Sequence, residues 1–269
     1  MAVCLFGACG DRSGSGSSTP APSSAGAIDT SRYTPVVDLT FDAASIDGDR
    51  ISVPNRGQLG VDITVESVND GTVSLVPGPE QGRSLKFPGL GSTATPPRAI
   101  LAIRPSDADG NVDSLTPRER PFEFGAQFRL DGESEGRDDD DGNNLVQRGL
   151  AADLSQYKIQ VDHGHASCRI AGDRGDVVLK SRVEIEPDEW YDVRCSRDGS
   201  TVVLRLHELG DTSTDTVRGT GELGAVAPPP DTPLAVGGKA TDSGQLVVRK
   251  TDQFNGDVHS VFLAIEDAE

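Results

Sequence analysis

Residues 156–206, QYKIQVDHGHASCRIAGDRGDVVLKSRVEIEPDEWYDVRCSRDGSTVVLRL, leave few folds open. Apolar side chains recur at every second position through Tyr157/Ile159/Val161, Val183/Ile185, Val193/Cys195 and Val202/Leu204/Leu206. A period of two is the spacing of half-buried antiparallel strands, because successive side chains on a strand point to opposite faces. Every break in the pattern carries turn chemistry: His163-Gly164, Gly172-Asp173-Arg174-Gly175, Pro187-Asp188 and Asp198-Gly199. The stretch is therefore expected to fold as successive hairpins, with Val183 and Ile185 both facing the core.

The same alternation extends outward. Val36–Asp42, Ile51–Val53, Val61–Val65, Thr72–Val76, Ser84–Phe87 and Ala99–Ile103 read as strands before the centre, followed by Phe122–Leu130 and Leu145–Gly149. Thr216-Val217, Pro233–Val236, Gln245–Val248 and Val258–Ile265 follow it. No long helical period interrupts them, and strands at short spacing with Gly, Pro and Asp turns imply an all-β antiparallel sandwich. Without an internal repeat or a second core pattern, one domain is expected over residues 33–269. The formal net charge of -18 repels nucleic acid and anionic membrane surfaces, which removes both as partners. No run of about 18 apolar residues offers a transmembrane helix.

The N-terminal MAVCLFGACG resembles the end of a bacterial lipoprotein signal, with small residues before Cys9 as the residue to be lipidated. A signal lying partly upstream of Met1 accounts for the short apolar run and the lack of a charged start. Residues 10–32 are rich in Ser, Gly, Pro, Thr and Ala and bury too little apolar surface to fold, as a tether would. The expected organisation is residues 1–9 as a signal remnant, 10–32 as tether and 33–269 as the folded domain. It would be extracytoplasmic and touch the membrane only through its lipid anchor.

Three pieces of the folded part together resemble a laminin G-like domain of the concanavalin A-like jelly rolls. They are Asn144–Gly149; Tyr157–Ile159 followed by Cys168–Gly172; and Asp188-Glu189-Trp190-Tyr191-Asp192-Val193-Arg194-Cys195. Phe254-Asn255-Gly256-Asp257-Val258 resembles the closing strand of that family. Tyr191 stands where the family has His, and Leu206-His207-Glu208 stands where it often has a tight turn. The resemblance implies a jelly-roll sandwich that recognises a glycan or an extracellular protein. In an exported chain Cys168 and Cys195, on strand patterns separated by one intervening strand, are expected to pair. Trp190, the single Trp, is expected between the sheets, with an exposed sugar platform as the other reading.

Candidate chemistry is sparse. Glu184, Glu186 and Asp188 sit at i, i+2 and i+4, but Pro187 breaks the strand beneath them, so they read as solvated acids rather than a glycosidase pair. Asp162, His163 and His165 fall in a turn and read as exposed. Asp107, Asp109, Asn111 and Asp113 offer oxygen ligands at positions one, three, five and seven of a calcium-type loop, without its glycine at six or acid at twelve. A second acidic loop spans residues 135–141. Calcium is the only cofactor these patterns suggest. The function expected from the sequence is a non-catalytic surface binding or adhesion module; a carbohydrate-active enzyme of the same fold is the alternative. If Cys9 carries the lipid, Cys9→Ser moves the protein from the membrane pellet to the soluble fraction in its native host; a variant that stays in the pellet contradicts the anchor.

Overall fold

The computed structural model describes residues 33–89, 95–106, 113–131 and 142–267. The signal and tether segments with Cys9, the acids Asp107, Asp109 and Asn111, and the 135–141 loop lie outside the described residues. All the described residues belong to one compact unit, Ser31–Glu269.

Two antiparallel sheets face each other. The front sheet contains β1 (Tyr33–Thr40), β5 (Ser74–Pro77), β6 (Arg83–Lys86), β8 (Phe122–Leu130), β13 (Trp190–Asp198), β14 (Thr201–Glu208), β15 (Asp215–Thr220) and β17 (Gly256–Glu266). Its order is β15-β14-β13-β8-β17-β6-β5, with β1 also paired to β17. The back sheet contains β2 (Ser45–Asp47), β3 (Arg50–Ser52), β4 (Val61–Val68), β7 (Arg98–Pro105), β9 (Gly142–Arg148), β10 (Gln156–Asp162), β11 (His165–Gly172), β12 (Gly175–Glu184) and β16 (Leu234–Val236). Its order is β12-β11-β10-β9-β16-β7-β4-β3-β2. The molecule is an all-β antiparallel sandwich, as the alternation implied, with the two-sheet jelly-roll architecture that the family resemblance implied.

The core is built from the inward half of each strand. Phe122, Phe124, Phe128 and Leu130 of β8 and Tyr191, Val193 and Cys195 of β13 meet Tyr157, Ile159 and Val161 of β10 and Cys168 and Ile170 of β11. The Tyr157 ring lies 5.4 Å from Phe122 and 5.0 Å from Phe124, both edge-on. Its hydroxyl donates to the Leu115 carbonyl at 2.9 Å, which keeps a buried phenol satisfied. Fully burying one such side chain contributes about 1.5–3 kcal/mol. Cys168 and Cys195 form a disulfide between the back and front sheets.

The turns fall where the sequence placed them. His163 and Gly164 close β10–β11 with φ of 50° and 73°, the paired positive values that a two-residue hairpin loop needs. Asp173-Arg174 closes β11–β12 and Gly199-Ser200 closes β13–β14. The fourth connection differs from the expected hairpin. β12 pairs with β11 and β13 with β8, so Pro187-Asp188 carries the chain from one sheet to the other.

Three further expectations are corrected. Val183 does not face the core but is 49% exposed, whereas Ile185 is buried. The β11–β12 register shifts between His165 and Ser167, and Ser181 Oγ bridges from the Ala166 amide to the Val183 carbonyl. That irregularity rotates Val183 to solvent. Trp190 is not between the sheets; its neighbour Tyr191 takes the core position and Trp190 lies half-buried on the outer face of the front sheet. Residues 245–248 are not a strand. They belong to a long excursion between β16 and β17 that lies on the outer face of the back sheet, where Ala240 and Leu246 pack on Ile100 and Ala235. Gln253 fastens it there, bonding both the amide and the carbonyl of Ala99 at 3.0 Å.

The disulfide closes a loop across a sequence separation of 27 residues. Chain-entropy arithmetic for that loop gives about 3.6 kcal/mol. A Cys168→Ala, Cys195→Ala protein should lose about that much in urea unfolding, and thiol titration of the denatured, unreduced wild type should find no reactive Cys168 or Cys195.

Candidate functional site

The outer face of the front sheet carries rows of side chains fixed by strand register. One row runs Trp190, Arg129, Asp257, Lys86, each opposite the next on β13, β8, β17 and β6. The Arg129 guanidinium stands 5.2 Å over the Trp190 ring and donates from Nε to Asp257 at 3.0 Å. Lys86 closes the row by pairing with Asp131 and, at 3.6 Å, with Asp257. The next row runs His207, Asp192, Gln127, Ser260. Gln127 donates to Asp192 at 3.1 Å.

Between these rows the register of β17 shifts at Val258/Ser260, leaving His259 without a partner on β8. Val258 and Val261 both face the core, so His259 and Ser260 share the outer side of a bulge. The bulge lifts His259 against Trp190, ring to ring at 6.2 Å and nearly perpendicular. His259 Nδ1 lies 3.0 Å from the Arg83 carbonyl, which assigns the proton to that nitrogen. It is also 3.9 Å from Asp42 Oδ1.

A recess of about 200 Å³ opens here, lined by Asp42, Glu80, Gly82, Gln127, Leu209 and His259. It joins two carboxylates, an amide and an imidazole to an indole just behind the imidazole. A larger recess of about 400 Å³ lies at the β2–β3–β4 end of the back sheet, with Arg50 and Asp62 among its lining, but no aromatic ring borders it. The smaller recess has convergent polar groups and the His259 ring in its lining, with Trp190 next to that ring rather than in the lining itself.

Next to it lies a buried charge cluster. Glu123, on the outer face of β8, is almost fully buried because Arg194 and Arg205 lie over it, at 3.5 and 3.7 Å from its carboxylate. Gly125 makes this possible. A Cβ there would come within 2.2 Å of the Val193 carbonyl and 3.2 Å of Arg194 Cγ, so glycine lets the β13 backbone that carries Arg194 approach β8 this closely. Arg194 ends 4.8 Å over the Phe262 ring. Burial pushes the Glu123 carboxyl above its ordinary range, and the two guanidiniums offset only part of that rise.

The residues singled out in the sequence are scattered. Glu184, Glu186 and Asp188 are all exposed, at the end of β12 and in the crossing to β13. The Glu186 amide donates to the Tyr191 hydroxyl at 3.0 Å, so that acid marks a turn anchored to the core. His163 is exposed beside Asp162 at 2.8 Å, while His165 contacts the Val183 carbonyl instead. Asp113 has both carboxylate oxygens engaged within the protein, one with the buried Arg148 at 2.5 Å and the other with Thr116. Among the described residues no three His, Cys, Asp or Glu side chains are grouped to hold a metal. His259, Gln127, Asp42 and Glu80, which line the recess, belong to no motif in the sequence. One signal was available for His259: in Asp257-Val258-His259-Ser260-Val261 two polar residues separate core residues that alternation would place two apart.

Fold and recess together define an all-β sandwich with an aromatic-backed polar recess on one outer face. The binding domain of Paraclostridial mosquitocidal protein 1 shares that fold, with a TM-score of 0.55 at 13% identity, covering 88% of this chain and 50% of that one. A botulinum neurotoxin type C structure, whose cell entry is described as dependent on interaction with two ganglioside molecules, gives 0.53 at 9% identity over 88% of this chain and 49% of that one. The botulinum neurotoxin serotype G binding domain gives 0.53 at 7% identity, again over 88% and 49%. This chain spans about half the length of these structures. No protein-family model matches the chain, and no curated protein matches it in sequence.

The Glu123 cluster yields a pH test. A carboxyl whose folded pKa is raised holds its proton more tightly when folded, so it lowers stability as pH climbs through the unfolded value of about 4.3 and the folded value above it. Glu123→Gln removes that loss. Its unfolding free energy relative to wild type should increase between acid and neutral pH; a difference that is flat with pH contradicts the cluster's electrostatics.

Proposed function

We propose that the protein is an exported, non-catalytic binding module whose front-sheet recess takes one ring of a glycan. The observation that carries this reading is the half-buried Trp190 beside the recess lined by Asp42, Gln127 and His259. A sugar ring presents hydroxyls that both donate and accept, which suits the mixed carboxylate, amide and imidazole lining. Its C–H faces suit an indole. At about 200 Å³ the recess is smaller than the roughly 300–1,000 Å³ of sites for drug-sized ligands, in keeping with a single ring of a longer chain. Two of the structural neighbours are described as binding domains and a third in connection with gangliosides, which supports a glycan as the ligand class. The laminin G-like relationship, the lipid anchor at Cys9 and calcium at the 107–113 loop belong to the same proposal and rest on the sequence.

One observation favours the alternative of a carbohydrate-active enzyme: two carboxylates, Asp42 and Glu80, line the recess. Against it, Asp42 Oδ1 is already held by the Arg83 amide at 3.0 Å. A glycan array followed by titration of the best ligand separates the readings. Trp190→Ala and His259→Ala should each weaken binding by about tenfold or more, equivalent to 1.4 kcal/mol. The Glu184→Gln, Glu186→Gln, Asp188→Asn protein should bind as wild type does. Binding unaffected at both Trp190 and His259 refutes the recess, and release of reducing sugar that disappears in Asp42→Asn or Glu80→Gln establishes the enzyme instead.

A further inference from the structure

The outer face of the back sheet holds a separate cluster that the glycan reading does not use. Lys158 of β10 lies opposite Arg169 of β11 and Gln147 of β9, pointing away from the core because Tyr157 and Ile159 point into it. The β16–β17 excursion brings Lys239 and Asp252 to the same place, paired with each other. Arg169 is held by Asp176 at 2.9 Å and by Gln156 at 2.9 Å. Lys158 donates only to a neutral amide, Gln160 Oε1, at 2.5 Å. Close by, Asn144 lies opposite Gln160, and its side-chain oxygen is buried with no hydrogen-bond partner.

This sets Lys158 apart from the other lysines. The chain has five. Lys86 pairs with Asp131 and Asp257, Lys180 with Asp162, and Lys239 with Asp252. Lys250 is exposed. Lys158 alone is half-buried with no carboxylate in ion-pairing range among the described residues, in a chain with a large excess of acids. Burial lowers its pKa to about 8, with Lys239 and Arg169 adding to the fall and Asp252 and Asp162 opposing it. An ammonium that is desolvated beside other cations is the environment that turns lysine into a nucleophile.

We propose that Lys158 is the reactive amine of this protein, a site on the outer face of the back sheet that condenses with small aldehydes such as hydroxyaldehydes. The neutral Nζ lone pair attacks the carbonyl carbon; one N–H proton passes to the former carbonyl oxygen, giving a carbinolamine. Loss of water, with the remaining N–H proton leaving in it, forms the C=N bond of an imine. Amine plus aldehyde equals imine plus water, and no oxidant or reductant enters. The half-buried Gln160 amide, already in contact with Nζ, is the polar group within the same patch that can meet a hydroxyl on the aldehyde.

The test uses the full chain, glycolaldehyde as the probe and cyanoborohydride to trap the imine, with peptide mapping of each lysine. At pH 7 Lys158 should be modified on the order of tenfold faster than Lys250, the gain in neutral amine being partly offset by lower intrinsic nucleophilicity. Its rate should rise with a midpoint near pH 8. Lys239→Met removes a neighbouring cation and leaves Asp252 to draw on Lys158, so labelling of Lys158 at pH 7 should slow while that of Lys250 holds. In urea the preference for Lys158 should vanish. Equal labelling of Lys158 and Lys250 in the folded protein, a Lys158 rate indifferent to Lys239, or a preference that survives urea would each overturn the proposal.

Discussion

The structure depends on the packing of two sheets through one aromatic and aliphatic layer. Phe122, Phe124 and Tyr157 form its centre, and Phe128 reaches Tyr191 and Phe254 at 5.9 and 6.1 Å. The Cys168–Cys195 bridge lies within this layer, since Cys168 is opposite Ile159 and Cys195 opposite Phe124. Neither sheet can bury its inward face without the other. The covalent link reduces the freedom of the unfolded chain where the two halves of the core must meet.

Because the core claims one side of each strand, all available chemistry is displaced to the outer faces and the loops. The two faces are then treated differently. On the front sheet, charged rows are neutralised residue by residue through cross-strand register, and a bulge raises His259 above the plane. On the back sheet, the β16–β17 excursion covers part of the face with buried amides, and Gln253 and Asn144 tie it to the strands. Arg148 does the same at the end of β9. Its side chain reaches Thr116, Asp113 and the Thr232 and Pro230 carbonyls, so a buried cation holds three segments together.

Glu123 and Lys158 show what such coverage costs. Each is an ionisable group held where its charged form is poorly solvated. Glu123 is compensated by two arginines, whereas Lys158 has only a neutral amide as its direct partner. A buried pair that is compensated tends toward a structural role, because removing either partner leaves the other unpaired. An uncompensated amine is free to react. The same physical effect, desolvation, therefore leads to packing on one sheet and to reactivity on the other.

The sequence by itself determined the fold class and three of the four central turns, because period-two alternation and turn residues are local properties of the chain; the Cys168–Cys195 pairing followed from the cysteine content of an exported chain, and the packing of the two sheets set its place. It also contained the side on which Trp190 falls, since Tyr191, Val193 and Cys195 share one phase and Trp190 the other; a general preference for buried indoles obscured that. Val183 departs from its alternation phase because alternation holds only along an unbroken ladder, and the β11–β12 irregularity is set by the partner strand. The recess was not legible. Asp42, Glu80, Gln127 and His259 come from four separate segments, and only the pairing of β17 with β8, β6 and β1 brings them together. Their proximity is decided by long-range strand pairing, which no local pattern of side chains encodes.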